Sequence, residues 1–486
     1  MSKVFRVHPK NSRIFEYNNR PIVLLCATEH YGAVMNRPFD YEAYLKYCYE
    51  YGQNYTRLFM LFRELQTPVN PHSTCKPEST DYISPYERTG PGNSADGLPR
   101  YDLDRWNPEF FRRLHDFMET ASKYDVIVEV TLFSNSYTND LFSLIPFGKN
   151  ANINDVGCES FQTFMTKKEK VVFERQLQYV EKVVRELNQY ENFFFEICNE
   201  PVSFNKENAS VNEINEWQQS LIGHIRKLEE KMPNKHLIAI TDCWEINQNG
   251  VLEAGTDKAF GEITADIVNV HPLDNIIYRG KAHDLGLFMS KRLCLSELRE
   301  FCLEASEEEK PLNIDEDNIA SRFMDYEGWT IHRKRAWTAI LSGAHYDYID
   351  FSIGIHCPTG TVESRKFLHK WYRNLRDFLE EMDIVAGRPL TDMVLDCPEE
   401  VLCSAFGNPG VQYNIYIADK RELGEEGCGG IIAGGISVSV VDGKYEIMFI
   451  SPEEGNIMAT GTLNPGEYRI TLHGFRHDMA VRLTRT

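Results

Sequence analysis

The stretch Phe193-Phe194-Phe195-Glu196-Ile197-Cys198-Asn199-Glu200-Pro201 decides the fold. Its apolar residues run almost without alternation, as in a strand covered on both faces. Pro201 has no N–H to give a ladder, so the strand ends there and presents Glu200 at its C-terminal end. Strands of this kind belong to parallel sheets whose crossovers are helices.

The same texture recurs on either side. Apolar runs predict strands at Ile22–Thr28, Tyr55–Leu61, Val126–Phe133, Phe193–Asn199, Leu237–Thr241, Ile267–Val270, Leu312–Asp315 and Tyr346–Ser352. Helical spacing separates them, as in Phe173, Leu177, Val180, Val184 and Leu187. The fifth crossover carries the weakest helix signal. Eight strand–helix units predict a (β/α)₈ barrel over residues 1–385, with an open doubly wound sheet as the competing arrangement. The longest predicted loops, 62–107 and 134–166, follow strands two and three on the face where barrels keep their active sites.

After residue 385 the period changes to two. Val411, Tyr413, Ile415 and Ile417 alternate along one run, as do Ile436, Val438 and Val440 against Ser437 and Ser439. Turn sequences such as Asn464-Pro465-Gly466 punctuate them. Residues 386–486 therefore read as an antiparallel β-sandwich.

A length of 486 residues with 42% hydrophobic composition allows a large core and a second, smaller unit. The net charge of −20 disfavours nucleic acid and anionic membranes as partners and favours a neutral ligand. No run approaches the length of a membrane span, and the N-terminus has no signal-peptide core. The 12 cysteines form no C-x-x-C pair, so a reducing cytoplasm is the expected compartment. Phosphate-binding glycine loops, nucleophile elbows and H-E-x-x-H are absent. Neither a metal nor a cofactor is required by the chemistry that follows. The sequence is silent on oligomeric state.

That chemistry starts from two acids at strand ends. Glu200 closes the fourth strand, and Glu316 closes the seventh in Lys310-Pro311-Leu312-Asn313-Ile314-Asp315-Glu316. Carried across one barrel mouth, two carboxylates can flank a glycosidic bond, one protonated and one ionised. Side-chain alternation predicts that only one of Asp315 and Glu316 points at the site. Glu297, on an amphipathic helix, is a further rival. Asn199 is placed to bind a sugar hydroxyl beside Glu200. Glu29 and His30 at the end of strand one are further sugar-binding positions. So are Asn135 after strand three and Trp244, a stacking platform or a core residue, after strand five.

Asn-Glu-Pro closing strand four and Lys-Pro-x-x-x-x-Glu closing strand seven resemble glycoside hydrolase clan A, the cellulase-like superfamily. The resemblance covers the barrel. It implies that Glu200 is the acid/base and Glu316 the nucleophile of a retaining hydrolase acting on a neutral, β-linked oligosaccharide or glycoside. It also matches Arg57, in Asn54-Tyr55-Thr56-Arg57-Leu58, to the arginine near the nucleophile, and His271 to the histidine ending strand six. The histidine common after strand three and the tryptophan common after strand eight have no counterpart, so substrate does not carry over. A sugar-binding protein without turnover, or a transglycosylase, would use the same residues.

Overall fold

The computed structural model describes residues 4–28, 33–63, 80–287, 290–319, 325–349 and 362–486. Eight parallel strands form one sheet: β1 (Leu25–Thr28), β2 (Tyr55–Phe59), β3 (Ile127–Ser134), β4 (Phe193–Asn199), β5 (Ile238–Thr241), β6 (Ile267–Asn269), β7 (Leu312–Ile319) and β8 (His345–Ile349). Neighbours run β1-β8-β7-β6-β5-β4-β3-β2. Asn54 closes the seam between β1 and β2. Its backbone N–H donates to the Leu25 carbonyl at 3.2 Å, and its side chain accepts from Leu25 N–H at 3.0 Å and donates to Val23 at 2.9 Å. The sheet is a (β/α)₈ barrel.

The crossover helices are α1 (Tyr41–Glu50), α2 (Pro108–Lys123), α3 (Lys170–Leu187), α4 (Val211–Glu229), α5 (Asp257–Gly261), α6 (Leu295–Ala305), α7 (Tyr326–Leu341) and α8 (Val362–Glu380). The start of α2 is set locally by Pro108 in the first turn and by Asn107, which caps the Glu109 N–H. The weak fifth signal has a structural counterpart. Helix α5 is one short turn, and the chain there builds a side sheet that includes Trp244–Ile246, Leu252–Gly255, Ile276–Tyr278 and Lys281–His283.

Strand one is shorter than expected. Arg20–Ile22 belongs to a three-stranded antiparallel sheet with Arg6–His8 and Asn11–Tyr17. This sheet plugs the N-terminal end of the barrel, packing Phe5, Phe15 and Ile22 against Tyr55, Ile127, Phe194 and Ile267. Two of its strands have only three residues, and Asn11–Tyr17 shows no regular alternation, so the sheet carries too little periodicity to be read from sequence.

Beyond α8 come a six-stranded and a three-stranded antiparallel sheet, packed face to face. Their shared core contains Ile415, Ile417, Ile436, Tyr445, Leu472 and Leu483. Helix α7 lies between this sandwich and the barrel and is buried on every face from Gly328 onward. Its Arg333 makes a bidentate ion pair with Asp478 at 2.7 and 2.9 Å, and Trp337 stacks on Tyr416 with centroids 5.1 Å apart.

Candidate active site

Glu200 stands one residue past β4 with φ of 46°, the left-handed region, a conformation that costs a non-glycine residue about 1–3 kcal/mol. The turn folds its carboxylate back over the barrel, where it is 2% exposed. Oε2 accepts from the Tyr137 hydroxyl at 2.5 Å, and Oε1 lies 2.9 Å from His271 Nδ1. Tyr137 also has positive φ, 59°. Asn135 holds that turn by accepting the Tyr137 N–H at 2.8 Å.

β7 departs from the expected alternation. Ile314 pairs with Tyr346 but Asp317 with Tyr348, so three steps on β7 face two on β8. This bulge overturns the expectation that only one of Asp315 and Glu316 points inward, because an extra residue lets consecutive side chains share a face. Both reach the same partners. Arg57 Nη1 donates to Glu316 Oε2 at 2.7 Å, and Nη2 lies 3.4 Å from Asp315. His271 Nε2 is 3.2 Å from Asp315 and 3.9 Å from Glu316.

Arg57 gathers the acids. Its Nη2 also donates to Glu196 at 2.8 Å and Asn199 at 2.9 Å, and Nε lies 3.7 Å from Glu129. Thr131, Thr241 and Asn269 hydrogen-bond Glu196, while Tyr55 and Asn269 hydrogen-bond Glu129. Buried charges persist only when paired in this way.

The electrostatics separate the groups. Burial drives Glu316 up to about 7; Glu200 and Asp315 add to that rise, and His271 and Arg57 oppose it. Burial would lower His271, but Asp315 and Glu316 overcome it and hold the imidazole well above its ordinary value. The protonated ring then has an N–H for Glu200 and another for Asp315. Burial would raise Asp315, yet His271 and Arg57 hold it below the usual carboxylate range. One oxygen or nitrogen from each of Glu200, His271 and Glu316 falls within 4.8 Å of the others, and oxygens of Glu129, Glu196 and Asp315 do likewise. Either trio has donor atoms a metal accepts; in the second, the Arg57 guanidinium supplies the positive charge.

This geometry brings together Glu200, Glu316, Arg57, His271 and Asn199. Trp244 is buried, with its ring edge-on to that of His271 at 5.8 Å, and its backbone N–H donates to the Pro201 carbonyl at 2.8 Å. Glu297 lies away from the site on α6. Glu29 and His30 lie outside the described residues. Sequence reasoning missed Tyr137, Glu129 and Glu196. An acid inside an apolar strand, as in Val128-Glu129-Val130 and Phe195-Glu196-Ile197, was the available signal. Tyr137 gave none, because its placement depends on a positive φ.

A sequence profile of the cellulase family (glycosyl hydrolase family 5) matches residues 86–336. The chain belongs to glycosyl hydrolase family 5. As a member it is an O-glycosyl hydrolase on a clan A barrel. No curated protein matches its sequence. Among solved structures it is similar to a protein described as a glycoside hydrolase, at 12% identity and TM-score 0.63, covering 100% of this chain and 97% of that one. A family 5 glycoside hydrolase from Bacteroides vulgatus ATCC 8482 has 12% identity and TM-score 0.62, covering 99% and 93%. The endo-1,4-beta-mannanase from Rhizomucor miehei has 11% identity and TM-score 0.53, covering 77% of this hydrolase and 99% of that chain. At these identities the likeness concerns the fold.

Proposed function

We propose that this family 5 hydrolase cleaves a β-linked O-glycosidic bond in a neutral oligosaccharide or glycoside with retention of configuration. Glu316 attacks the anomeric carbon while Glu200 protonates the leaving oxygen. Glu200 then takes a proton from water, and that water releases the sugar from the Glu316 ester. The observation that carries this reading is the approach of Glu200 and Glu316 oxygens to within 4.8 Å around His271. Retaining enzymes hold their carboxyl groups about 5–5.5 Å apart; inverting enzymes need about 6.5–9.5 Å to seat a water between them. Arg57, 2.7 Å from Glu316, favours the ionised nucleophile, and Asn199 is oriented by the same guanidinium.

We read residues 1–385 as the catalytic unit and 386–486 as an accessory unit. The burial of α7 beneath the sandwich supports a propping role for the latter.

A panel of nitrophenyl glycosides scored by NMR for product anomer tests the proposal. Glu316→Ala is expected to lower turnover by on the order of 10⁴–10⁶-fold, with azide restoring it as a glycosyl azide of inverted configuration. Initial release of the inverted sugar by the wild-type enzyme would replace this mechanism with single displacement.

A further inference from the structure

We propose that His283, Glu297 and Glu300, flanked by Glu304, form a site for a divalent first-row metal ion, with Zn²⁺ the best fit, on the outside of the barrel. The site shares no residue with the Glu200–Glu316 centre. His283 ends the last strand of the side sheet, Lys281–His283, and α6 packs across that strand. Along α6, Glu297, Glu300 and Glu304 follow the three-and-four spacing that puts side chains on one face.

His283 makes this more than an acidic patch. Its side chain is fully buried, edge-on to Phe301 at 5.5 Å, and neither ring nitrogen makes a hydrogen bond among the described residues. A buried imidazole without such a partner is costly. Both nitrogens face acids: Nδ1 is 4.0 Å from Glu297 Oε2, and Nε2 is 3.4 Å from Glu304 Oε2. One nitrogen of His283 and one oxygen each of Glu297 and Glu300 lie within 4.8 Å of one another. Ligands about 2.0–2.2 Å from a zinc ion require only a small contraction of that set. The glutamates can supply it, because Glu297 and Glu300 are 44% and 48% exposed and keep rotamer freedom.

The donor chemistry selects the ion class. Magnesium and calcium prefer oxygen shells, whereas one imidazole with carboxylates suits zinc. Lys281 already brings positive charge to this corner, contacting Glu300 and lying 3.6 Å from Glu304. An entering metal displaces that ammonium towards solvent. Once bound, it would staple the side sheet to the helix that precedes β7.

The test is calorimetric titration of Zn²⁺ into the chelator-treated full chain, with zinc X-ray absorption on the loaded protein. The expected result is a site with nitrogen and oxygen neighbours at about 2.0–2.1 Å and a higher thermal midpoint with zinc. His283→Gln should remove one equivalent. Glu297→Gln should weaken that equivalent by at least the roughly tenfold typical of losing even an outer partner, while aryl-glycoside turnover stays unchanged. Should His283→Gln fail to fold, Glu297→Gln, with its exposed side chain, carries the test. No binding by the wild type, a sulfur shell from cysteines, or a stoichiometry and affinity unchanged in the variants overturns the proposal and leaves a buried imidazole packed beside glutamates.

Discussion

At the N-terminal end of the barrel, Phe5 stacks on Phe194 at 5.6 Å, and Phe15 packs between Phe5 and His345 at 4.6 Å from each. At the C-terminal end, Arg57 and His271 stand among Glu129, Glu196, Asp315, Glu316 and Glu200. Both ends are almost completely buried. The aromatic end gains from removing apolar surface from water and has no charge to desolvate. The charged end keeps ions out of water, a conformational and electrostatic cost met by mutual pairing. Apolar packing dominates one end of the barrel axis and charged, reactive groups the other.

Four measurements would break or sharpen that contrast. The largest effect is expected at Arg57. Arg57→Ala leaves its acid partners without their guanidinium and should cost about 3–5 kcal/mol in urea unfolding, with turnover lost as well. A stable, active variant would show that the acids are neutral rather than paired. Phe15→Ala should cost a comparable 3–5 kcal/mol, yet kcat and KM of the folded fraction should not move. A changed KM would couple the two ends.

Tyr137→Phe comes next. It removes the hydrogen bond to Glu200 from a residue 37% exposed. Its effect should appear as about 1.5–3 kcal/mol in kcat/KM, with unfolding changed by no more than about 0.5 kcal/mol. Equal losses in both measurements would make Tyr137 structural. The smallest effect is the pH profile. The nucleophile must be ionised, and burial holds Glu316 near 7, so kcat/KM should fall as pH falls through about 7. Arg57→Lys should move that limb upward by weakening the bidentate-capable counterion. A limb below pH 5 in the wild type would place the ionisation elsewhere.

The legible parts of the protein are those fixed by short-range pattern. β4 runs from Phe193 to Asn199 as read, and Glu200 stands where Pro201 ends the ladder. The barrel and the sandwich follow from one change of period. The joint presentation of Asp315 and Glu316 was not legible, because the bulge arises from register against β8. Nor was the plug, since Asn11–Tyr17 gains meaning only against Phe194 and Ile127. Helix α7 hides differently. Arg333 and Arg335 sit in its middle, buried, because Asp478, far along the chain in the sandwich, and Asp317, on the preceding strand β7, meet them only in the folded structure.

By itself, then, the sequence determined where the eight barrel strands lie and that Glu200 follows the end of β4; β7 runs on to Ile319, past the expected stop at Asp315, so Glu316 lies within that strand. Backbone periodicity and proline's missing donor act within a few residues, so they are written locally. Only the tertiary structure decided that Tyr137 reaches Glu200, that His271 lies between Glu200 and Asp315, and that a single arginine gathers acids from β3, β4 and β7. Those contacts depend on strand register and left-handed turns, and the energies that choose among registers come from residues far apart in the chain.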